Sequence, residues 1–125
     1  MKIARALCLS ALTALVAIPA MADCNYPQKP ADPPSGATAS HDQMVAAKKV
    51  TKQYSDDMVA YLNCLDQEAA DQIKALPADH TPDQEQPIKT KRDLKYSAAE
   101  QTMEKYVDSF NTELRTFLAK QAKPQ

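Results

Sequence analysis

The sequence predicts an all-α fold: a long antiparallel two-helix hairpin with an extended proline-rich N-terminal arm pinned by one disulfide. Two long stretches carry apolar residues at alternating spacings of three and four, which is the period of an amphipathic helix. A proline-rich stretch separates them, and two cysteines remain after a leader segment. The chain has one glycine in 125 residues, which disfavours β folds rich in tight turns and excludes glycine-rich phosphate loops.

The first 22 residues have the organisation of a secretory signal peptide. A basic start and an apolar stretch over residues 6–18 precede an Ala-x-Ala cleavage pattern that ends at Ala22. The apolar stretch is shorter than the roughly 20 residues that a membrane-spanning helix needs. Cys24 raises the alternative of a lipid anchor, but Asp23 stands where lipoprotein processing needs a small residue. We expect a periplasmic or secreted protein without a membrane span after cleavage.

Removal of residues 1–22 leaves a chain of 103 residues that is poor in large aliphatic and phenylalanine side chains. Val, Ile, Leu and Phe make up 14 of the 103, below the share of about one-fifth that usually supports a packed core. The net charge of this chain is −3, so no basic field attracts nucleic acid. Cys24 and Cys64 are expected to pair in an oxidising compartment, and the bond would stabilise the fold by about 4 kcal/mol on the chain-entropy model.

Residues 23–39 contain four prolines and predict an extended arm, and the first helix follows it. Ser40 and Gln43 fit a capping box, and the helix is expected over about 41–76, before Pro77. Its apolar seam consists of Met44, Ala47, Thr51, Tyr54, Met58, Tyr61 and Leu65. We expect the arm to lie on a neighbouring track of mostly small residues that leads to Cys64: Ala46, Val50, Gln53, Asp57 and Ala60.

Residues 77–87 contain three prolines and predict a loop, so the second helix is expected over about 88–120 with Pro87 in its first turn. Its stripe consists of Ile88, Arg92, Tyr96, Ala99, Met103, Tyr106, Phe110, Leu114 and Phe117. Folding about the loop centre would place Tyr54 opposite Phe110. The same fold would bring acidic residues at the end of the first helix beside basic residues at the start of the second: Asp66, Glu68 and Asp71 beside Lys89, Lys91, Arg92 and Lys95.

The residues that could carry chemistry do not form a site in this pattern. His41 and His80 lie at opposite ends of the first helix and could not share a metal ion. Asp56 and Asp57 are adjacent and therefore point about 100° apart, as expected of a solvated helix face. Cys64 would need a free thiol and a nearby base to act as a nucleophile, and the aromatic residues of the seams are expected in the core. We expect no enzyme activity, no catalytic residues, no cofactor and no metal site.

The run PSGATASHDQMVAAKKVTKQY, followed by YLNCL and later by FNTELRTF, is similar to a group of small secreted helical proteins of Gram-negative bacteria. These proteins share a proline-rich start and a Y-L-x-C-L element in a helix. The likeness is best over residues 24–65 and implies a compartment and an architecture. It implies no functional residues, because no activity is assigned to that group.

The function expected from the sequence is that of a non-catalytic envelope protein acting as a protein-interaction module. One alternative is a periplasmic chaperone or stress protein. The other is an inhibitor of an envelope-directed hydrolase, and this inhibitor would bind the hydrolase through its own acidic loop, residues 77–87. A surplus of apolar residues beside the seams is the expected interaction flank: Val59, Leu62, Ile73, Val107 and Leu118. This flank would bind an unknown protein partner or a second copy of the chain.

Overall fold

The structure, a computed structural model, describes residues 23–122 and has the all-α architecture predicted from the sequence. Helix α1 spans His41–Lys74 and helix α2 spans Pro82–Gln121, and the two pack against each other as an antiparallel hairpin. Residues 23–39 form neither helix nor strand and lie along the pair as the arm. Neither helix of the described chain is long and apolar enough to span a membrane. The predicted signal peptide, residues 1–22, lies outside the described residues.

The predicted capping box starts α1. The Ser40 hydroxyl accepts a hydrogen bond from the Gln43 N–H at 3.2 Å, and the Gln43 side-chain oxygen accepts one from the Ser40 N–H at 2.8 Å. These two bonds satisfy backbone donors that have no partner inside the helix. The helix ends at Lys74, two residues before the predicted end, and Ala75 is its C-cap.

The predicted start of α2 is wrong by six residues. The helix begins at Pro82, the first helical residue after Thr81, and the Gln84 side-chain oxygen accepts a hydrogen bond from the Thr81 N–H at 2.8 Å. Pro87, which was expected in the first turn, lies inside the helix and has no N–H to donate to the Asp83 carbonyl. The loop between the helices is therefore residues 75–81 and not 77–87.

The shorter loop changes the register of the two helices by one turn. The ring of Tyr54 packs edge to face against the ring of Tyr106, with the centroids 5.0 Å apart. Phe110, the partner expected for Tyr54, belongs to a different cluster of buried residues. The expected register was wrong because it was counted from a loop centre that lies too far along the chain.

Charged side chains join the helices near the loop, as the sequence predicts. The Arg92 guanidinium lies 3.3 Å from the Asp66 carboxylate, and the Lys95 ammonium lies 3.9 Å from the Glu68 carboxylate. Two further members of this group pair within their own helices, Asp71 with Lys74 and Lys89 with Glu85. Pairs as exposed as Arg92 and Asp66 contribute about 0–1 kcal/mol each, so they orient the hairpin more than they stabilise it.

The core consists of two clusters along the helix pair, and the arm contributes to both. The cluster nearer the loop contains Tyr54, Met58, Tyr61, Leu62, Leu65, Ala99 and Tyr106, with Cys24 of the arm packed against it. The cluster nearer the open end contains Met44, Phe110 and Phe117 together with Ala39, the last residue of the arm. The arm is therefore part of the core at both of its ends.

The arm lies beside the predicted track of α1 only near the loop, where residues 25–28 border a cleft with Asp57 and Ala60. It contacts α1 at Tyr61, where the Tyr26 ring packs edge to face with the centroids 5.1 Å apart. It then passes to α2, where the Tyr106 hydroxyl donates a hydrogen bond to the Ala31 carbonyl at 3.0 Å. The small residues of the predicted track are exposed: Ala46, Val50, Gln53, Asp57 and Ala60. The arm lies between the helices because the tyrosine rings there offer more apolar contact than alanines do.

Gly36 stands where the backbone of the arm touches the backbone of α2. A Cβ atom at this position would lie 1.9 Å from the Glu113 carbonyl oxygen and 2.7 Å from the Phe117 nitrogen. The Gly36 N–H also donates a hydrogen bond to the Glu113 carboxylate at 2.7 Å. The one glycine of the chain is therefore needed for close approach, as expected where two backbones meet.

Replacement of Gly36 by alanine tests this contact. Because the added methyl group would meet backbone atoms and not a movable side chain, we expect Gly36→Ala to lower the free energy of unfolding by about 1–3 kcal/mol. Urea denaturation followed by circular dichroism measures the change. Ala37→Ser, at the exposed neighbouring residue, is the control and should leave the value within about 0.5 kcal/mol. Equal stability of the two variants would contradict the contact.

Candidate functional site

The predicted disulfide joins the arm to α1. The sulfur atoms of Cys24 and Cys64 are 2.02 Å apart, and the Cα atoms are 5.8 Å apart. Both residues are half-buried, and Cys64 lines an open cleft together with Tyr26 and Ala60. Because both sulfur atoms are bonded to each other, neither is a free thiol that could act as a nucleophile.

The tyrosines of the seams lie in the core, as predicted, and two of them differ in how their hydroxyl groups are satisfied. Tyr106 donates its hydroxyl hydrogen to the Ala31 carbonyl. Tyr54 is 2% exposed, and its hydroxyl has no hydrogen-bond partner among the described residues. Burial and the neighbouring Tyr26 and Tyr106 raise the pKa of Tyr54 above its usual range. The Tyr54 hydroxyl therefore carries a desolvation cost that its ring must offset.

His80 forms a polar cluster at the loop end of the hairpin. Its Nδ1 atom lies 2.8 Å from the Pro77 carbonyl, and its Nε2 atom lies 2.8 Å from the Glu85 carboxylate, which also contacts the Lys89 ammonium at 2.6 Å. Both ring nitrogens thus face oxygen atoms that only accept hydrogen bonds, so the doubly protonated ring satisfies both contacts.

The contacts of this cluster shift two pKa values in opposite directions. The hydrogen bond to Glu85, and after it the bond to the Pro77 carbonyl, raise the pKa of His80. The Lys89 ammonium, and after it the His80 ring, lower the pKa of the Glu85 carboxyl. The geometry favours a charged His80 paired with a charged Glu85, which ties the loop to the first turns of α2.

The structure keeps the other polar candidates apart. His41 is the first residue of α1, at the opposite end from His80. Asp56 pairs with Lys52, and Asp57 accepts a hydrogen bond from the Gln53 side chain, each one turn earlier on an exposed helix face. Among residues 23–122, no three His, Cys, Asp or Glu side chains come together in a way that could hold a metal ion.

The predicted interaction flank lies on the side of the hairpin away from the arm. Leu62 follows Tyr61 and Val107 follows Tyr106 in the chain, and each step of about 100° turns the side chain away from an arm contact. Val59 and Ile73 share this side because they lie one and three helical turns from Leu62. Leu118 shares it because it lies three turns from Val107. We call these five residues the arm-free face.

Exposure differs among the five residues of the arm-free face. Leu62 is only 6% exposed and belongs to the core cluster nearer the loop, so its assignment to an exposed flank was wrong. Ile73 and Val107 are half-buried. Val59 and Leu118 are 49% and 54% exposed. The face is therefore a half-buried apolar strip that is open at Val59 and at Leu118.

Sequence reasoning gave no role to Leu94, which is 70% exposed. It lies on the outer side of α2, in a shallow groove with Pro87, Thr90 and Lys91. Its spacing in the sequence could have predicted this exposure. Leu94 is nine residues before Met103, and this spacing places the two side chains on opposite sides of the α2 axis. Leu94 is a single exposed side chain on the outer surface and provides a matched control for the arm-free face.

The two buried tyrosines give opposite expectations for removal of a hydroxyl group. Tyr54→Phe removes a buried hydroxyl without a partner, so we expect the free energy of unfolding to rise by up to about 1 kcal/mol. Tyr106→Phe removes the bond to the arm and should lower it by about 0.5–1.5 kcal/mol. Urea denaturation at neutral pH measures both. A loss of stability in Tyr54→Phe would show that its hydroxyl is satisfied, and would contradict this account.

The His80 cluster predicts a stability that depends on pH. Because the pKa of His80 is raised above 6.5 on folding, its stabilising effect is complete below about pH 6.5 and is lost as the pH rises through the higher folded-state value. The lowered pKa of Glu85 acts in the opposite sense: its effect is present above about pH 4.5 and is lost as the pH falls through the lower folded-state value. We expect the melting temperature to fall between pH 6.5 and 8.5.

The variant His80→Gln should flatten this part of the melting-temperature profile. His41→Gln, at the exposed first residue of α1, is the matched control and should keep the wild-type profile. If His80→Gln keeps the decline between pH 6.5 and 8.5, the cluster is not its cause.

Comparison of the chain with protein-family models, with curated proteins and with solved structures finds no match.

Proposed function

We propose that this protein is a non-catalytic secreted or periplasmic envelope protein that binds another protein through its arm-free face. The proposal rests on one observation: the arm covers one side of the hairpin and leaves the other side uncovered. One side is covered by the arm, which contacts Tyr61, Tyr106 and Glu113. The other side presents the half-buried strip that is open at Val59 and Leu118.

The uncovered side is expected to bind a partner for a physical reason. Two packed helices have apolar residues along both sides of their seam, and a single arm covers only one of these sides. A two-helix layer is a poor device for hiding apolar surface, and such chains gain stability from a further layer. Removing apolar surface from water is favourable by about 25 cal/mol per Å², and the entropy lost on association offsets part of this gain. A partner helix or sheet laid along the strip would complete a three-layer core.

The location in the envelope is supported by the Cys24–Cys64 bond and by the leader pattern of residues 1–22. Disulfides persist in the periplasm and outside the cell and are rare in the bacterial cytosol. The lack of a membrane-spanning helix in residues 23–122 is compatible with this location.

Site-specific photo-crosslinking in intact cells tests the proposed face. A photoreactive side chain at Val59 and one at Leu118 should give a crosslinked product with the same second protein, because both positions border one strip. The same side chain at Leu94 should not give that product, although Leu94 is more exposed. Val107→Lys, in the middle of the strip, should reduce the yield from both positions by about tenfold or more, since a buried charge would oppose docking.

Folding must be preserved for this test to be informative. Thermal unfolding of the Val107→Lys protein is the check, and Leu118→Lys, at an exposed residue, is a second variant that should cost less than about 0.5 kcal/mol of stability. Products that differ between the two positions, or that appear equally at Leu94, would contradict the proposal. Sedimentation equilibrium shows whether the second protein is another copy of the chain.

A further inference from the structure

We propose that the arm-free face binds an acidic amphipathic helix of a different protein, and that the acidic side chains of this helix contact bases at the open end of the hairpin. We call the surface that holds these bases the open-end patch, and it consists of Val45, Lys48, Lys52, Arg115 and Leu118. The inference rests on the proposed function, because Leu118 belongs to both the open-end patch and the arm-free face.

Both helices contribute to the open-end patch at the same level of the hairpin. Tyr54 and Tyr106 contact each other across the helix pair. Val45 is nine residues before Tyr54, and Arg115 is nine residues after Tyr106. Because the helices are antiparallel, equal steps in opposite directions along the chain place Val45 level with Arg115. Leu118 lies one turn beyond Arg115, nearer the open end.

The α1 residues of the open-end patch lie on the same side of the helix as the arm-free face. Lys52 and Lys48 are seven and eleven residues before Val59, which corresponds to two and three helical turns. Val45 lies one further turn towards the start of the helix. The four residues therefore form one row along the α1 side of the strip.

The apolar side chains of the open-end patch are exposed to solvent. Val45 is 40% exposed, and Leu118 is 54% exposed. Leu114, one turn before Leu118, is half-buried and packs against the core cluster nearer the open end. These three side chains offer an apolar surface to a partner helix, and its removal from water favours binding.

The charges of the open-end patch are only partly paired within the chain. Lys48 and Lys52 are exposed and four residues apart on one helix face, a spacing at which like charges repel each other. Lys52 contacts the Asp56 carboxylate at 2.5 Å. In the part of the chain that the structure describes, Lys48 and Arg115 form no ion pair, and the Arg115 guanidinium donates to the neutral Thr112 hydroxyl. Carboxylates of a partner would offset this repulsion.

The charges around the open-end patch limit the kind of partner that fits. Glu100 and Glu104 lie two turns and one turn before Val107 on α2 and are exposed, so the strip becomes acidic towards the loop. Residues 23–125 also carry a net charge of −3. A membrane or a nucleic acid presents an extended anionic surface, which these acids would repel. A single helix can instead place its acidic residues against the bases at the open end.

The length of the strip suits one helix. Leu118 lies twelve residues from the Tyr54–Tyr106 contact towards the open end, and Val59 lies five residues from it towards the loop. This separation is about 26 Å at 1.5 Å per residue, which a helix of about 17 residues covers. The groove between two packed helices is a surface on which a third amphipathic helix can dock.

Photo-crosslinking in intact cells with a photoreactive side chain at Leu118 tests the inference. We expect the crosslinked partner peptide, sequenced by mass spectrometry, to have a helical apolar pattern and a net negative charge. Lys48→Glu should lower the yield of this product by about tenfold, because it sets like charges against each other. Lys49→Glu is the matched control, because it makes the same change of charge at the next exposed residue, about 100° further round the helix. It should alter the yield by less than about twofold.

A charge exchange across the interface shows whether the contact is direct. The acidic residues of the crosslinked peptide are replaced by lysine one at a time. We expect one of these replacements to lower the yield with the wild-type chain and to restore it with Lys48→Glu. Thermal unfolding of purified Lys48→Glu should match that of Lys49→Glu, since both residues are exposed.

The outcomes separate this inference from the proposed function. A product whose yield is the same with Lys48→Glu as with Lys49→Glu, or whose partner peptide is neutral or basic, would overturn the acidic helix and leave the partner-binding face in place. A product with a second copy of the chain would do the same. A product with lipid alone, or no product at Leu118, would overturn both the inference and the proposed function.

Discussion

The docking of the arm on the helix pair, fixed by the Cys24–Cys64 bond, is the interaction on which the rest of the structure depends. Residues 23–125 include too few large aliphatic residues for two helices to cover each other completely. The arm adds Cys24 to the cluster nearer the loop and Ala39 to the cluster nearer the open end. It also encloses tyrosine rings that would otherwise have one face in water, so a proline-rich segment serves as a second layer on the helix pair.

This arrangement makes the two sides of the hairpin unequal, and the inequality is the main functional information in the structure. The arm side has specific polar contacts, such as the bond from Gly36 to Glu113, and its shape is determined by one peptide segment. The arm-free face is a strip of aliphatic residues that is exposed at Val59 and at Leu118. A surface of the first kind suits recognition of a defined segment, whereas one of the second kind suits a broader partner surface.

The start of α1, which depends on a capping box between neighbouring residues, was predictable from the sequence. The start of α2 was not, because a capping box and a proline further along the chain each indicated a different first residue. The pattern at Ser40 was identified as a capping box, but the same pattern at Thr81 and Gln84 was not, because Pro87 was placed in the first turn. That error moved the start of α2 by six residues and the register by one turn. The role of Gly36 could not be predicted, because the backbone it approaches is 77 positions further along the chain.

The sequence predicted on which side of a helix a residue lies, but it did not predict whether a residue at the edge of the apolar seam is buried or exposed. Leu62 and Val59 are three residues apart and lie on the same side of α1, yet one is buried and the other is half exposed. The difference depends on the position of α2, since a residue at the edge of a seam is covered only when the facing helix lies close to it. The register and separation of two helices are therefore needed before an edge residue can be assigned to core or surface.

The arm also connects the two core clusters mechanically. The disulfide fixes it near the loop end, where the Arg92–Asp66 pair joins the two helices and the His80 cluster ties the loop to α2. Gly36 and Ala39 fix it near the open end, where the helices have no loop to join them. Because the arm passes between these points along the helix pair, separation of the helices at the open end requires the arm to detach as well. A short segment thus couples the two ends of a hairpin that would otherwise open from one end, which is the usual weakness of a two-helix fold.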